Sequence, residues 1–144
     1  MPSEPDAPLI FVAEDEPQIL ELIVTLLEKA GYRTAHACNG WEAWDGIRAL
    51  RPGGVLLDIN MGGMDGFAVL RSLRAQARTR DIPVLMLTAR GGLEDVSHAI
   101  DLGAQDYLTK PFDERVLLQR VARLTRRRDL PPPPDPAADD IVLL

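Results

Sequence analysis

This sequence predicts an α/β domain whose parallel sheet lies between two layers of helices, and three observations point there. Short apolar runs alternate with longer stretches of helical period, five times in series. The runs Leu9–Ala13, Val55–Leu57 and Val84–Leu87 are continuously apolar, as strands buried on both faces are. Polar residues of complementary kinds stand just past strand ends: Glu14-Asp15, Asp58, Thr88 and Lys110.

Each element has its own signal. Leu9 to Ala13 reads as the first strand. Ile19, Ile23, Leu26, Leu27 and Ala30 then recur at helical spacing, and Gly31 ends the pattern. Tyr32 to Ala37 is a more polar strand, as suits a sheet edge. A helix from Trp41 to Leu50 follows the Asn39-Gly40 turn. Val55 to Leu57 is the third strand, and a helix runs from Gly66 to about Gln76. Val84 to Leu87 is the fourth strand. Leu93, Val96 and Ile100 mark a fourth helix, which Gly103 stops. Tyr107-Leu108 lies in a short fifth strand, and Leu117, Val121 and Leu124 define a last helix. Trp44 fits a core-facing position, and partial burial is expected for Trp41.

The 144 residues suit one domain with one substantial core, and the 46% hydrophobic fraction is that of a globular chain. A net charge of −6 argues against a nucleic-acid-binding surface, six arginines between Arg115 and Arg128 notwithstanding. Those arginines are expected to complement the helix C-terminus and to pair with acids across a dimer face. Cys38 is the only cysteine, so no intramolecular disulfide can form and a cytoplasmic location is expected. No apolar run approaches the roughly 20 residues that span a bilayer, and the acidic N-terminus is unlike a secretion signal. Cys38, His36 and His98 show no metal-ligand spacing. Residues 1–7 read as a disordered N-terminus, 8–128 as the domain and 129–144 as a proline-rich tail. The Pro131–Pro134 run suits a semi-rigid spacer of about 3.1 Å per residue, and the apolar tip Ile141–Leu144 is either loose or docked on a protomer.

In parallel sheets of this kind ligands bind beyond the carboxyl ends of the strands. The acids, the hydroxyl and the lysine therefore belong to one edge of the molecule. Glu14-Asp15-Glu16 before Pro17 could simply favour the helix dipole. With Asp58 as a third acid, however, the carboxylates would repel unless a cation sat among them, and oxygen-only donors suit Mg²⁺. Thr88 could be a helix cap and Lys110 a solvated charge. Facing the acids, Lys110 also offers a point charge for a phosphoryl group. Pro111 is a candidate for a cis bond that would fix the lysine's direction.

Four blocks in order carry a resemblance: Val12-Ala13-Glu14-Asp15-Glu16-Pro17, Leu56 through Gly66, Leu87-Thr88-Ala89-Arg90, and Gly103 through Phe112. Together they resemble the receiver domains of two-component response regulators. The resemblance implies a flavodoxin-like (βα)5 fold with strand order 2-1-3-4-5. It also implies a Mg²⁺-dependent phosphorelay protein that accepts a phosphoryl group from a sensor histidine kinase or phosphotransfer protein. Asp58 looks like the phosphoacceptor. Glu14, Asp15, Asp58 and the Asn60 backbone carbonyl look like the Mg²⁺ ligands, and Lys110, Thr88 and the Ala89 backbone like the phosphoryl contacts. Thr88 and Tyr107 resemble a switch pair that reshapes the face made by the fourth helix, fifth strand and fifth helix, for a downstream protein target or a homodimer. Asn60 and Arg90 are expected to tune the lifetime of the phosphoryl group. Two departures stand out: Gly62 replaces the usual proline, implying a looser loop, and Gly53-Gly54 replaces the usual Pro-Asp.

Two competing readings exist. An aspartate-nucleophile phosphatase needs an acid two residues after its nucleophile, where this chain has Asn60, and metal acids after the nucleophile rather than before it. The other is the receiver part of a transcriptional regulator lacking its DNA-binding output domain. A single-domain receiver acting through a protein partner, with intrinsic phosphorylation and dephosphorylation rather than substrate turnover, is the expectation taken forward.

Overall fold

Alternation along the strands decides the architecture. The computed structural model describes residues 7–89 and 93–126. The expectations for the N-terminal residues 1–6, for Arg90 and for the tail from residue 127 onward lie outside the described residues. The elements run β1 (Leu9–Ala13), α1 (Pro17–Lys29), β2 (Arg33–Ala37), α2 (Gly40–Leu50), β3 (Gly54–Asp58), α3 (Gly66–Ala75), β4 (Val84–Thr88), α4 (Leu93–Asp101), β5 (Asp106–Thr109) and α5 (Glu114–Arg126). All strand pairings are parallel, in the order β2-β1-β3-β4-β5.

Successive side chains on a strand point to opposite faces, so each central strand feeds two cores. Phe11 and Ala13 of β1, Val55 and Leu57 of β3, and Val84 and Met86 of β4 pack with Ile47 of α2, Leu70 and Leu73 of α3 and Ala99 of α4. Ile10, Val12, Leu56, Leu85 and Leu87 pack on the other face with Ile23 and Leu27 of α1 and with Leu117, Val121 and Leu124 of α5. That distribution accounts for the unbroken apolar runs. The edge position of β2 likewise accounts for its exposed Arg33 and His36.

Helix ends follow local chemistry. Asn39 and Asp65 each accept a hydrogen bond from the backbone N–H three residues on, from Glu42 and Ala68, capping α2 and α3. Pro17 sits in the first turn of α1, where its missing N–H costs nothing.

One expectation needs correction, and two placements add detail to others. Trp41 is 61% exposed rather than partly buried, because the first turn of α2 carries it past the edge of the core, whereas Trp44 packs against the core as expected. The buried stripe of α4 uses Val96 and Ala99, which leaves Ile100 exposed. Arg120 has an acid within the chain, donating to Asp106 Oδ1 at 2.6 Å and to the Tyr107 carbonyl at 3.2 Å.

At the edge where strands begin, Arg74 of α3 makes five hydrogen bonds: two to the Gly103 carbonyl and one each to the Arg80 carbonyl, the Ile82 carbonyl and Gln105 Oε1. Gln105 Oε1 also accepts from the Val84 N–H at 2.7 Å. The entries to β4 and β5 are thereby tied to α3.

Candidate active site

The strand order reverses between β1 and β3: β1 connects outward to β2 on one side and pairs with β3 on the other. A crevice at the carboxyl ends of β1 and β3 is the consequence. Asp58 is the last residue of β3, and Glu14 directly follows β1. Both are inside the protein, at 1% and 0% exposure, whereas Asp15 is exposed.

Buried carboxylates need partners. The Lys110 ammonium, just past β5, donates to Glu14 Oε1 at 2.8 Å and lies 3.5 Å from Asp58 Oδ2. Glu14 Oε2 accepts from the Asp15 N–H at 3.0 Å, and Asp58 Oδ1 from the Asn60 N–H at 3.2 Å. The backbone N–H of Lys110 donates to the Thr88 carbonyl at 2.7 Å, which fixes the start of the lysine loop to the end of β4. Thr88 itself is buried, and Ala89 beside it is exposed. The Lys110-Pro111 peptide is cis, as the sequence suggested.

These partners do not balance the charge. Burial pushes the Asp58 carboxyl up to about 8, the hydrogen bond with Glu14 and the Glu14 charge push the same way, and Lys110 pulls less strongly against them. Burial would raise Glu14 too, but hydrogen bonds with Asp58 and Lys110 outweigh it and hold that carboxyl below its ordinary value. Lys110 resists the effect of burial and is raised by its hydrogen bond with Glu14 and the Asp58 charge. The proton of the acid pair therefore resides on Asp58 when only Lys110 faces it.

Glu14, Asp15 and Asp58 each offer a carboxylate oxygen, and the three lie within 4.8 Å of one another. With Asp58 ionised as well, three acids against one ammonium leave two negative charges uncompensated. A hard divalent cation fits that deficit and that all-oxygen donor set, with the exposed Asp15 side open for water ligands.

The two residues of the expected switch pair stand on neighbouring strands. Thr88 is in register with Thr109, whereas Tyr107 is in register with Met86, two residues down the strand, and packs partly buried against the core shared by α2, α3 and α4. Sequence reasoning gave Gly66 only as a helix start and the end of a matching block, yet a β-carbon on it would stand 2.2 Å from the Asp58 carbonyl oxygen. Only a glycine lets α3 start this close to the end of β3. Its one sequence signal is its place eight residues after Asp58, where a loop must turn back into a helix.

Comparison with known proteins agrees with this geometry. The family model described as response regulator receiver domain matches residues 10–122. The DNA-binding dual master transcriptional regulator RpaA of Synechocystis sp. is 44% identical over 122 residues, covering 85% of this chain and 51% of that protein. The chain thus spans about half the length of the curated relatives it matches. Among solved structures, the receiver domain of Francisella response regulator 1452 superposes with a TM-score of 0.79 at 33% identity, covering 84% of this chain and 98% of that one. The receiver domain of the sensor histidine kinase PA1611 of Pseudomonas aeruginosa, solved with a magnesium ion coordinated in its active-site cleft, superposes with a TM-score of 0.77 at 29% identity, covering 83% of this chain and 98% of that one. With five parallel strands in the order 2-1-3-4-5 and the family model spanning most of its length, this chain belongs to the response regulator receiver domains.

Proposed function

We propose that this chain is a phosphoacceptor, taking a phosphoryl group onto Asp58 from a phosphohistidine of a sensor kinase or phosphotransfer protein. The observation that carries the reading is the buried Asp58 carboxyl, held between the Lys110 ammonium and the acid pair Glu14 and Asp15 at the carboxyl edge of the sheet. An Asp58 oxygen attacks phosphorus. The new O–P bond forms as the N–P bond breaks, and the departing imidazole keeps the electron pair and takes up a proton. Glu14, Asp15, Asp58 and the Asn60 carbonyl would hold Mg²⁺, which when bound draws negative charge from the phosphoryl oxygens. Lys110 supplies the fixed positive charge on the other side. Transfer then rests on positioning and electrostatics.

Thr88 and the Ala89 N–H would contact the new phosphoryl oxygens. Inward movement of Thr88 frees room for Tyr107 and biases the α4-β5-α5 face toward a second arrangement, which a downstream protein or a second copy of the chain would bind. Asn60, beside the acceptor, and Arg90 would set the phosphoryl lifetime. A cytoplasmic setting belongs to this reading, and among the described residues no helix is long and apolar enough to cross a membrane.

One observation favours a second reading of the context: the half-length match to a relative named as a DNA-binding regulator. Under it, the same receiver works as the input half of a DNA-binding protein. Both readings share one test. Intact mass is measured after incubation with acetyl phosphate, with and without Mg²⁺, on wild type and Asp58→Asn. One Mg²⁺-dependent phosphoryl adduct, absent from the variant, is expected. An adduct that survives Asp58→Asn, or none in wild type, overturns the phosphoacceptor reading.

A further inference from the structure

The loop between β3 and α3 carries Asn60, whose N–H holds Asp58 Oδ1. Its two ends are secured: Ile59 and Met61 are buried, and the Gly66 N–H donates to the Ile59 carbonyl at 2.9 Å. Its middle, Gly62-Gly63, is exposed and has no side chain with which to anchor itself. Gly63 has a φ of +74°, a conformation side chains rarely tolerate.

Support for this middle section comes from another element. The three heavy atoms nearest a β-carbon placed on Gly63 all belong to the Trp41 indole: Cδ1 at 2.8 Å, Nε1 at 3.3 Å and Cγ at 3.9 Å. Beside that contact the Gly40 N–H donates to the Gly62 carbonyl at 3.3 Å. Trp41 sits in the first turn of α2, which the Asn39 cap holds firm. The indole is thus the most exposed large apolar side chain among the described residues, and the backbone it covers leads to the metal-facing loop. The loop has no proline of its own at position 62, and an aromatic ring from α2 stands over its next residue.

We propose that Trp41 is a positioning residue for the acceptor site: its indole presses on Gly63 and holds the β3–α3 loop in the arrangement in which Asn60 serves the cation. The inference rests on the Mg²⁺ and phosphoacceptor reading above and adds to it a residue outside the acid cluster. A ring that only filled space would change thermal stability; a ring that positions the loop changes metal affinity.

The test is calorimetric titration of the full chain with Mg²⁺, for wild type, Trp41→Ala, Trp41→Phe, Gly63→Ala and the Trp41→Ala/Gly63→Ala pair, each first shown to be folded by circular dichroism. Trp41→Ala is expected to weaken Mg²⁺ binding about tenfold, the scale on which supports of metal ligands act, and Trp41→Phe to restore it to within about twofold. Gly63→Ala drives a methyl into the indole, so its defect is expected to shrink when Trp41 is also removed; independent sites would instead add. In a Trp44→Phe background Trp41 is the sole tryptophan, and its emission is expected to change with Mg²⁺ at the calorimetric midpoint. Trp41→Ala binding Mg²⁺ within about twofold of wild type, with additive effects in the pair, overturns the proposal. The two readings fail separately. Phosphoryl uptake on Asp58 with Trp41-independent Mg²⁺ binding removes only the positioning role, and Trp41-dependent Mg²⁺ binding without any uptake removes only the phosphoacceptor.

Discussion

Among the described residues, two ionic clusters with buried members are built on opposite accounts of charge. Asp106 and Arg120 face each other at 2.6 Å, each side chain 12% exposed, and the Arg123 charge also acts on Asp106. Asp106 also accepts from its own neighbour's N–H, that of Tyr107. At the carboxyl edge, Glu14, Asp15 and Asp58 share a single Lys110. The first cluster is complete within the chain and ties β5 to α5. The second holds more acid than base. Burial of charge alone does not mark a reactive site; burial with a deficit does.

Breaking the balanced pair should produce the largest change in stability. Arg120→Ala leaves Asp106 buried without its partner and is expected to cost about 3 kcal/mol in denaturant unfolding, with phosphoryl uptake in the folded protein little altered. Asp58→Asn should act in the opposite direction. Removing one carboxylate from the crowded edge is expected to stabilise the metal-free protein at pH 8 by about 1–2 kcal/mol while ending uptake.

A pH series sharpens the contrast. The Asp58 carboxyl titrates at about 8 in the fold against an ordinary 3.8. Its proton therefore stabilises the fold fully below the ordinary carboxylate range, and that contribution is lost as pH rises through about 8. Melting temperature without Mg²⁺ should fall as pH rises from 6 to 9, and Asp58→Asn should flatten that fall. Mg²⁺ must displace the same proton, so its affinity should strengthen by up to about tenfold per pH unit below 8, with proton release visible as a buffer-dependent heat. The smallest effect is expected from replacing both members of the balanced pair, Asp106→Leu with Arg120→Met. Stability should move by about 1 kcal/mol or less, because neither charge is left stranded.

How much of this could be read from the sequence depends on how far each feature reaches along the chain. Strands β1, β3 and β4 were legible because burial on both faces writes itself as an unbroken apolar run. The convergence of Glu14 with Lys110, 96 residues apart, was legible as well, because parallel topology sends all strand ends to one edge. The ion pair of Asp106 with Arg120 was not, since 14 residues and a turn of unknown geometry separate them. Trp41 misled for the same reason. Helical spacing shows which way a residue faces on its own helix but not where the body of the protein stops, and its contact with Gly63 depends on a loop packed from elsewhere. Arg74 gave no signal at all, because its partners are four backbone or amide groups on two separate segments.

Arg74 has a mechanical meaning as well. By gripping Gly103 and Gln105 it fixes the foot of α4 and the entry to β5 at the edge remote from Asp58. The nine residues of α4 reach about 13 Å from that foot toward the reactive edge. Under the proposed switch, any movement of α4 would have its fixed point at Arg74 and its free end toward Thr88.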